Sequence, residues 1–219
     1  MWCAARAKPA HEDPALNWIR PPGPVADGLT IGLLGGSFNP AHEGHAYVSQ
    51  TAMKRLKLDY VWWLVSPGNP LKDARDMAPF AARMNSAHAV ARDPRFIVSD
   101  IEQRLGTRYT ADTVAALRRR FPRVHFVWLM GSDNLAQFSR WRRWQALAQL
   151  IPVIVVQRPG SIMAALNAAP IRRFGATRNF AKKRRPPALL VIDGARNAQS
   201  ATRLRALGPQ QAGMLNSLY

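Results

Sequence analysis

Short apolar runs alternate with helix-forming segments along most of the chain. Six runs have the length and the β-branched and aromatic content of strands: TIGLLGG (30–36), YVWWLVSP (60–67), RFIVSD (95–100), HFVWLMG (125–131), IPVIVVQRP (151–159) and ALLVID (188–193). Helices are predicted between and after them, at Glu43 to Lys57, Pro79 to Arg92, 109–122, 144–150 and from about Ser200 onward. Thr110 or Asp112 is the predicted cap of the third helix, which Pro122 ends.

The alternation of strands and helices indicates an α/β protein. Parallel strands joined by right-handed helical crossovers form a sheet with helices on both faces, so we predict a doubly wound, mostly parallel sheet. The chain has 219 residues, which is enough for one complete core and short for two. We therefore expect a single domain, with ligands bound at the carboxyl ends of the strands.

Composition predicts the limits of this domain. Residues 1–28 are rich in proline and small residues and lack the apolar block of a secretion signal, so they are predicted to form a flexible lead-in. The domain is expected to span 29–208, with 171–187 as an irregular basic insertion or loop and 209–219 as a short tail. The longest strictly aliphatic runs, such as Val153 to Val156, are too short to cross a membrane, so we expect a soluble protein. The single cysteine fits a reducing, cytoplasmic location.

The chain is strongly basic, with 31 Lys and Arg against 13 Asp and Glu and a formal charge of +18. This charge favours anionic partners, which include nucleic acid, acidic membranes and phosphorylated small molecules. The stretch 171–187 carries seven cations and no acid, and a solvated face or loop is the ordinary interpretation of such a run. Cys3 is the only cysteine, so neither a disulfide framework nor a cysteine metal cluster is expected.

Two glycines and two histidines surround the end of the first predicted strand. Gly35 and Gly36 stand where an open α/β sheet brings a phosphate close to backbone amides. His42 and His45 are three residues apart at the start of the next helix, so both face the same side, and Gly44 between them keeps that surface open. A helix N-terminus also attracts anions. The arrangement predicts a phosphate site built from hydrogen-bond donors, without a carboxylate.

Other interpretations of the two histidines remain open. They could ligate zinc, although a third ligand would have to come from elsewhere and Glu43 faces away from them. They could also be surface or core histidines without a chemical role. The segment lacks the Gly-Lys-Ser/Thr of the ATPase phosphate loop and the third glycine of the dinucleotide-binding fingerprint, so neither of those classes fits.

The segment GGSFNPAHEGH (35–45) resembles the signature of the nucleotidyltransferases that carry a His/Thr-x-Gly-His motif, and more closely that of the bacterial nicotinate-nucleotide adenylyltransferases. Four later segments are similar to elements of that family in the same order: GNPLKD (68–73), RYTADTV (108–114), MGSDNLAQFSRWRRW (130–144) and SATRLR (200–205). The resemblance implies a Rossmann-like fold. Departures from residues that many members carry are Asn39, Leu71, Arg108 and Ala201.

The resemblance implies transfer of AMP from ATP to nicotinate mononucleotide, which yields nicotinate adenine dinucleotide and pyrophosphate in NAD biosynthesis. The acceptor phosphate is already an anion at neutral pH, so the reaction needs no general base and depends on orienting two anions and stabilising charge. Mg²⁺ would be carried by the phosphates of ATP, and no protein metal site is expected. The expected partners are these small molecules, without specific nucleic acid or membrane, and a homo-oligomer is left open.

The resemblance also implies roles for individual residues. The implied catalytic residues, which stabilise the phosphates, are His42, His45, Lys72 and Arg205. ATP is expected to contact Gly35, Gly36, Ser37, Phe38, His42, His45, Gly131, Asp133, Ser200, Thr202 and Arg205. Nicotinate mononucleotide is expected to contact Asn39, Lys72, Tyr109, Thr110, Trp141 and Arg142.

Plainer roles remain open for five of these residues. Trp141 could be an ordinary helix-packing tryptophan. Thr110 and Asp133 could be helix caps. Lys72 and Arg205 could be solvated cations.

Three other functions compete with this one. A sister enzyme that uses phosphopantetheine shares the histidine motif, but it lacks the elements found here at 109–114 and 131–141. A nucleic-acid-binding module would use the positive charge but would leave the histidine motif without a role. The third alternative is a catalytically silent relative, and the presence of both histidines argues against it.

Overall fold

The computed structural model describes residues 20–68, 76–157, 167–176 and 185–192. The strands are β1 (Thr30–Gly36), β2 (Tyr60–Val65), β3 (Phe96–Ser99), β4 (His125–Gly131), β5 (Val153–Val156) and β6 (Leu189–Ile192). The helices are α1 (Glu43–Leu56), α2 (Phe80–Val90), α3 (Ile101–Arg104), α4 (Thr110–Arg120), α5 (Ser132–Phe138), α6 (Trp144–Leu150) and α7 (Ala169–Phe174). All six predicted strands are confirmed, as are the predicted helices that fall in these ranges. None of the helices in this part of the chain has the length and apolarity that a membrane crossing requires.

The six strands form one sheet in the order β3-β2-β1-β4-β5-β6, and every described strand pair is parallel. The chain moves outward from β1 to β3, crosses back to β4 and moves outward again to β6. The strand order therefore reverses between β1 and β4. In open α/β sheets the carboxyl ends of the strands at such a reversal form the ligand-binding crevice. The predicted doubly wound α/β fold is confirmed.

Both faces of the sheet are buried, because the strands of a parallel sheet carry apolar residues at consecutive positions. In β2, Trp62 and Leu64 belong to the core on one face, whereas Trp63 and Val65 belong to the core on the other. The first core includes residues of α4, α5 and α6, and the second includes residues of α1 and α2. Helices packed on both faces therefore fix the positions of the loops that leave the carboxyl edge.

Gly35 has a packing role in addition to its place in the motif. A Cβ atom at Gly35 would lie 2.4 Å from Cη2 of Trp128, a residue of β4. Trp128 is only 1% exposed, and a close-packed interior leaves its indole no room to move aside. Gly36 differs, because a Cβ atom there would come no closer than 3.4 Å to the Phe38 ring. Trp128 therefore requires a glycine at 35 whether or not a phosphate binds nearby.

The end of the predicted flexible lead-in contacts the domain. Val25 packs against the core, and the Gly28 N–H donates to the Arg123 carbonyl at 2.9 Å. Residues 20–28 therefore differ from the loosely ordered lead-in that their proline content predicted, because apolar and backbone contacts hold them. Residues 1–19 lie outside the described residues, so the boundary at residue 28 stays a prediction.

The basic stretch begins in a helix. Residues 171–174 were predicted as the start of an irregular insertion, but they lie in α7, where Phe174 packs edge-on against Trp144 with ring centroids 5.8 Å apart. The prediction was wrong for these residues, because the apolar side chains at Ile171 and Phe174 share one face of a helical turn. The rest of the basic stretch at 177–184, the predicted last helix and the predicted tail lie outside the described residues.

A carboxyl group is buried near the carboxyl edge of the sheet. Glu102 in α3 is 7% exposed, and its Oε1 accepts from the Thr113 hydroxyl at 3.4 Å. The Thr107 hydroxyl lies 2.8 Å from that of Thr113. Burial raises the pKa of Glu102 to about 7, against a smaller lowering by hydrogen bonds from Thr113 and Ser66. Glu102 therefore changes charge near neutral pH.

Replacing Gly35 with alanine should lower the free energy of unfolding by about 1–3 kcal/mol, because the new methyl group overlaps the Trp128 indole in a packed core. Urea unfolding measures this change. The matched control is Gly68→Ala, since a Cβ atom at Gly68 meets no other atom within 4 Å. Equal stability of the two variants would contradict the packing role of Gly35.

Glu102→Gln should gain stability relative to the wild type as the pH rises from 5 to 8. The pKa of Glu102 is raised to about 7 in the folded protein from an ordinary 4.5. The stabilisation linked to its proton is therefore complete below about pH 4.5 and is lost as the pH rises through about 7. Glutamine stays neutral throughout. The stability difference should shift in favour of the variant by up to about 3 kcal/mol over this range.

Urea unfolding of both proteins at several pH values between 5 and 8 measures the shift. The control is Glu43→Gln, which changes a partly exposed carboxyl at the start of α1. A constant difference between Glu102→Gln and wild type across this range would show that Glu102 does not take up its proton in the folded protein.

Candidate active site

The predicted phosphate site lies in the crevice between β1 and β4. The register pairs Leu34 of β1 with Leu129 of β4, so Gly36 and Gly131, two residues further along, reach the carboxyl edge side by side. The loop from 37 to 42 leaves one side of this crevice, and α5 begins on the other. Two segments that are far apart in sequence are thus neighbours at the switch point.

The two histidines cap the start of α1 reciprocally. His42 is the N-cap residue, with an extended backbone (φ −155°, ψ 166°). The Gly44 N–H donates to His42 Nδ1 at 3.1 Å, and the His42 N–H donates to His45 Nδ1 at 3.2 Å. This is the arrangement of a capping box, with imidazoles in place of the usual hydroxyl and carboxylate.

The cap determines which nitrogen of each ring carries the proton. A backbone N–H can only donate, so a ring nitrogen that accepts from it is unprotonated, and the proton of the neutral imidazole lies on Nε2. His45 Nδ1 also lies 3.3 Å from the His42 carbonyl, but a proton placed on Nδ1 for that contact would face the His42 N–H. Both rings are therefore Nε2–H tautomers, which are hydrogen-bond donors at the atom not used by the cap.

Aromatic rings hold His45 in one orientation. Its ring centroid lies 4.0 Å from that of His42, 4.7 Å from that of Phe38 and 6.0 Å from that of Trp63. Phe38 is buried and has a φ of 47°, a left-handed conformation that is rare without glycine. The Trp63 Nε1–H donates to Ser49 Oγ at 2.9 Å, which fixes the outer ring of the group. His45 remains partly exposed, whereas His42 is 2% exposed.

Asn39 connects the loop after β1 to the chain before α2. Its Nδ2 donates to the Asp76 carbonyl at 2.8 Å, and its Oδ1 accepts from the Ala78 N–H at 3.1 Å. Both ends of the amide are thus engaged in joining two loops. Contact between Asn39 and the substrate stays a prediction.

Arg83 is not among the predicted site residues, yet it lies against this loop. Its side chain, on α2, is 2% exposed and donates to the carbonyls of Ser37, Ser66, Pro67 and Ala78 at 2.8, 2.6, 3.1 and 3.0 Å. Burial lowers the pKa of Arg83 from its usual value. The sequence could have indicated its burial, because Arg83 is four and seven residues before the buried Ala87 and Val90 and so lies on the same face of the helix.

Four of the residues predicted for the acceptor lie near the start of α4 and after α5: Tyr109, Thr110, Trp141 and Arg142. The Arg142 guanidinium lies over the Tyr109 ring, 4.9 Å from its centroid. Trp141 packs edge-on against Trp128 and Phe138, with ring centroids 6.0 and 5.4 Å away, and is partly exposed. Trp141 is therefore a packing residue that also has an exposed surface.

Neither Thr110 nor Asp112 is the cap of α4, so this prediction was wrong. The helix begins at Thr110, and the N-cap is Tyr109, whose side chain makes no capping hydrogen bond. The Asp112 carboxylate pairs instead with Arg143, whose Nη1 lies 2.5 Å away. Asp133 is not a cap either, because Gly131 precedes α5 in that position and Asp133 lies in the first helical turn.

Some predicted residues lie outside the described residues: Lys72, Ser200, Thr202 and Arg205. Their roles stay predictions. The structure brings together the others in two groups, one formed by the glycines, histidines and Asn39 around the β1 loop, and one at the start of α4. Among the residues that the structure describes, no group of three or more His, Cys, Asp or Glu side chains is placed to hold a metal ion.

Comparison with known proteins places this chain in a family. A family model described as cytidylyltransferase-like matches residues 33–207. A protein of Parvibaculum lavamentivorans named "Probable nicotinate-nucleotide adenylyltransferase" is 51% identical over 190 residues, which cover 84% of this chain and 94% of the relative. A protein of the same name from Brucella abortus is 46% identical over 190 residues, which cover 84% of this chain and 98% of the relative.

Solved structures show the same fold. The Plasmodium falciparum nicotinic acid mononucleotide adenylyltransferase complexed with NaAD matches with a TM-score of 0.63 and 16% identity, over 82% of this chain and 83% of that one. At this identity the likeness bears on the fold alone. The family assignment depends instead on the model that spans 33–207 and on the relatives at 51% and 46% identity. The chain belongs to the cytidylyltransferase-like family and, within it, to the nicotinate-nucleotide adenylyltransferases.

Proposed function

We propose that this protein transfers AMP from ATP to nicotinate mononucleotide, forming nicotinate adenine dinucleotide and releasing pyrophosphate. The observation that carries the proposal is the pair of imidazoles at the start of α1, whose Nδ1 atoms accept backbone N–H groups and whose Nε2 atoms are donors. The pair lies at the switch point of a parallel sheet, where such folds bind nucleotides. The names of the relatives support the choice of substrates.

The reaction requires no proton transfer at the reacting atoms. An oxygen of the acceptor phosphate attacks the α-phosphorus of ATP and forms a new phosphorus–oxygen bond. The bond from the α-phosphorus to the oxygen that bridges to the β-phosphate breaks, and its electron pair leaves with pyrophosphate. Because the acceptor phosphate is an anion at neutral pH, the protein contributes by aligning the two reactants and stabilising negative charge. Oriented hydrogen-bond donors supply the second contribution.

The two histidines are the donors to ATP in this proposal. His45 is the more exposed of the pair, and its Nε2–H donates to an oxygen of the α-phosphate, where negative charge develops. His42 is more deeply buried, and its Nε2–H donates to a neighbouring phosphate oxygen. The cap on Nδ1 holds the proton of both rings on Nε2 and fixes the direction of each donor, so little reorganisation is needed in the transition state.

The segments on both sides of the crevice complete the proposed ATP site. On the β1 side, the glycines and the residues that follow let the phosphates approach the backbone closely: Gly35, Gly36, Ser37 and Phe38. On the β4 side, Gly131 leaves space at the strand end, and the Asp133 carboxylate accepts hydrogen bonds from ribose hydroxyls. The lysine of the 68–73 element and the Ser-Ala-Thr-Arg element at 200–205 remain predicted parts of the triphosphate site.

Mg²⁺ is proposed to enter the site on the phosphates of ATP, where it neutralises part of their charge. The donors of the described site fit this role, because imidazole N–H groups and backbone amides bind phosphate oxygens rather than a hard cation. The histidines then act directly on the phosphate oxygens. The predicted cytoplasmic location and the oligomeric state stay predictions.

The acceptor site is proposed at the start of α4. The N-terminus of this 11-residue helix attracts anions, and Arg142 adds a full positive charge beside Tyr109. The nicotinate ring carries a carboxylate, whereas the nicotinamide ring carries a neutral amide, so this charge favours nicotinate. The exposed surface of Trp141 offers a face on which the pyridine ring packs, and Thr110 adds a hydroxyl.

Pyrophosphate release with ATP, Mg²⁺ and nicotinate mononucleotide tests the reaction. The wild type should turn over, and His45→Gln should lower kcat by about 100-fold or more, because loss of one oriented donor to a developing charge has that effect. Glutamine at the third helical position keeps an acceptor for the capping N–H. The melting temperature of this variant should therefore stay close to that of the wild type.

Substitutions at His42 separate the cap from the chemistry. His42→Asn keeps an N-cap acceptor and should lose activity without losing stability, whereas His42→Ala should lose activity and also about 1 kcal/mol of stability.

In the pyrophosphate assay, nicotinamide mononucleotide and phosphopantetheine serve as alternative acceptors. The absence of release with every acceptor would overturn the proposed reaction, and full activity in His45→Gln would remove His45 from it.

Arg142→Met should lower kcat/KM for nicotinate mononucleotide by about 5-fold, the effect expected of one partly exposed charge pair. Turnover of nicotinamide mononucleotide should change less, because its ring carries no charge. Arg140→Met is the matched control, since Arg140 is an exposed arginine two residues earlier. Equal losses with both acceptors would show that Arg142 does not interact with the carboxylate of the nicotinate ring.

A further inference from the structure

Arg83 joins three separate segments of the carboxyl edge. Its Nη1 donates to the carbonyl of Ser37, in the loop after β1, and to the carbonyl of Ser66, directly after β2. Its Nη2 donates to the Pro67 carbonyl and its Nε to the Ala78 carbonyl, in the chain before α2. One buried guanidinium thus fixes the exits of two neighbouring strands and the entry to a helix.

Two further contacts support the same junction. The Asn39 amide bonds to Asp76 and Ala78, so the loop after β1 is joined to the chain before α2 a second time. The Ala41 N–H, in the same loop, donates to Ser86 Oγ of α2 at 2.9 Å. The loop after β1 is therefore held to α2 and to the chain before it by side chains in addition to Arg83.

The chemistry of these contacts is specific to arginine. A guanidinium is planar and presents five N–H donors in fixed directions, whereas a lysine ammonium presents three donors from a single point. A lysine at 83 would keep the charge but could not reach carbonyls on three segments at once. A buried carbonyl that loses its donor is destabilised until the backbone moves to find another. The loops, rather than the helix, are the parts free to move.

We infer that Arg83 is a positioning residue for AMP transfer, which holds the loop after β1 in the conformation that presents the phosphate site beside His42 and His45. This inference rests on the proposed function. Ser37 and Phe38, which border the phosphates in that proposal, lie directly in the loop that Arg83 bonds. Arg83 touches no reacting atom and acts through this backbone.

Arg83→Lys tests the inference, with Val90→Ala as the matched control. Val90 lies on the same helix in the core, so its truncation lowers stability without changing any contact to the loops. We expect kcat/KM for ATP to fall about 100-fold in Arg83→Lys, because small displacements of positioning groups have effects of this size. Val90→Ala should keep kcat and KM within about twofold of the wild type, even where its melting temperature falls equally.

Hydrogen–deuterium exchange gives a second readout that does not depend on turnover. In Arg83→Lys, amides at 37–42 and 76–80 should exchange faster, because the Ala78 N–H is bonded across this junction. Amides of β4 should exchange as in the wild type. If the wild type itself shows no turnover, the proposed function fails, and the exchange data still decide whether Arg83 holds the loop.

Three results would overturn the inference. The first is wild-type kcat/KM and exchange in Arg83→Lys. The second is an equal loss of activity in Val90→Ala, which would show that lower stability of the protein explains the loss in Arg83→Lys. If Arg83→Lys does not fold, Arg83→Met is assayed in its place. The third result is that neither Arg83 variant folds while Val90→Ala does, which would show that Arg83 is required for the fold and not for the site.

Discussion

The first backbone N–H groups of α1 need partners, and the protein supplies them with two imidazoles. An aspartate at His42 would cap the helix equally well, but its carboxylate would offer no donor beyond the cap. An imidazole has two nitrogens, so one accepts the amide while the other carries a proton. The same ring atoms therefore stabilise the helix and prepare the phosphate donors, and the site cannot change its tautomers without breaking its own helix cap.

Large aromatic side chains make this arrangement rigid. Trp63 and Phe38 pack around His45 on one face of the sheet, and on the other face Trp128 presses against the backbone at Gly35. The packing of Trp128 thus holds the backbone of the glycine turn in place. A phosphate site made of neutral donors depends on such rigidity, because its contribution to catalysis comes from dipoles that are already oriented.

Apolar packing stabilises the centre of the sheet, whereas polar contacts stabilise its carboxyl edge. Arg83 and Asn39 join the loops on one face, and the Glu102 carboxyl accepts from the Thr113 hydroxyl on the other. Backbone carbonyls and amides at strand ends have no ladder partners, so buried side chains with several donors or acceptors satisfy them. These groups connect the histidine loop on β1 with the exit of β2.

The sequence by itself determined the strands, the helices and the double winding, because these follow from local apolar patterns. It also located the glycines and histidines, which lie within eleven consecutive residues. Only the tertiary structure decided what holds them. Arg83 bonds Ser37 and Ser66, 46 and 17 residues away, and Gly35 meets Trp128 through strand pairing. The predicted cap of α4 was wrong because Thr110 and Asp112 both lie inside the first turn of the helix, where Asp112 pairs with Arg143. Such contacts depend on which segments become neighbours in space, and a local pattern carries no record of that.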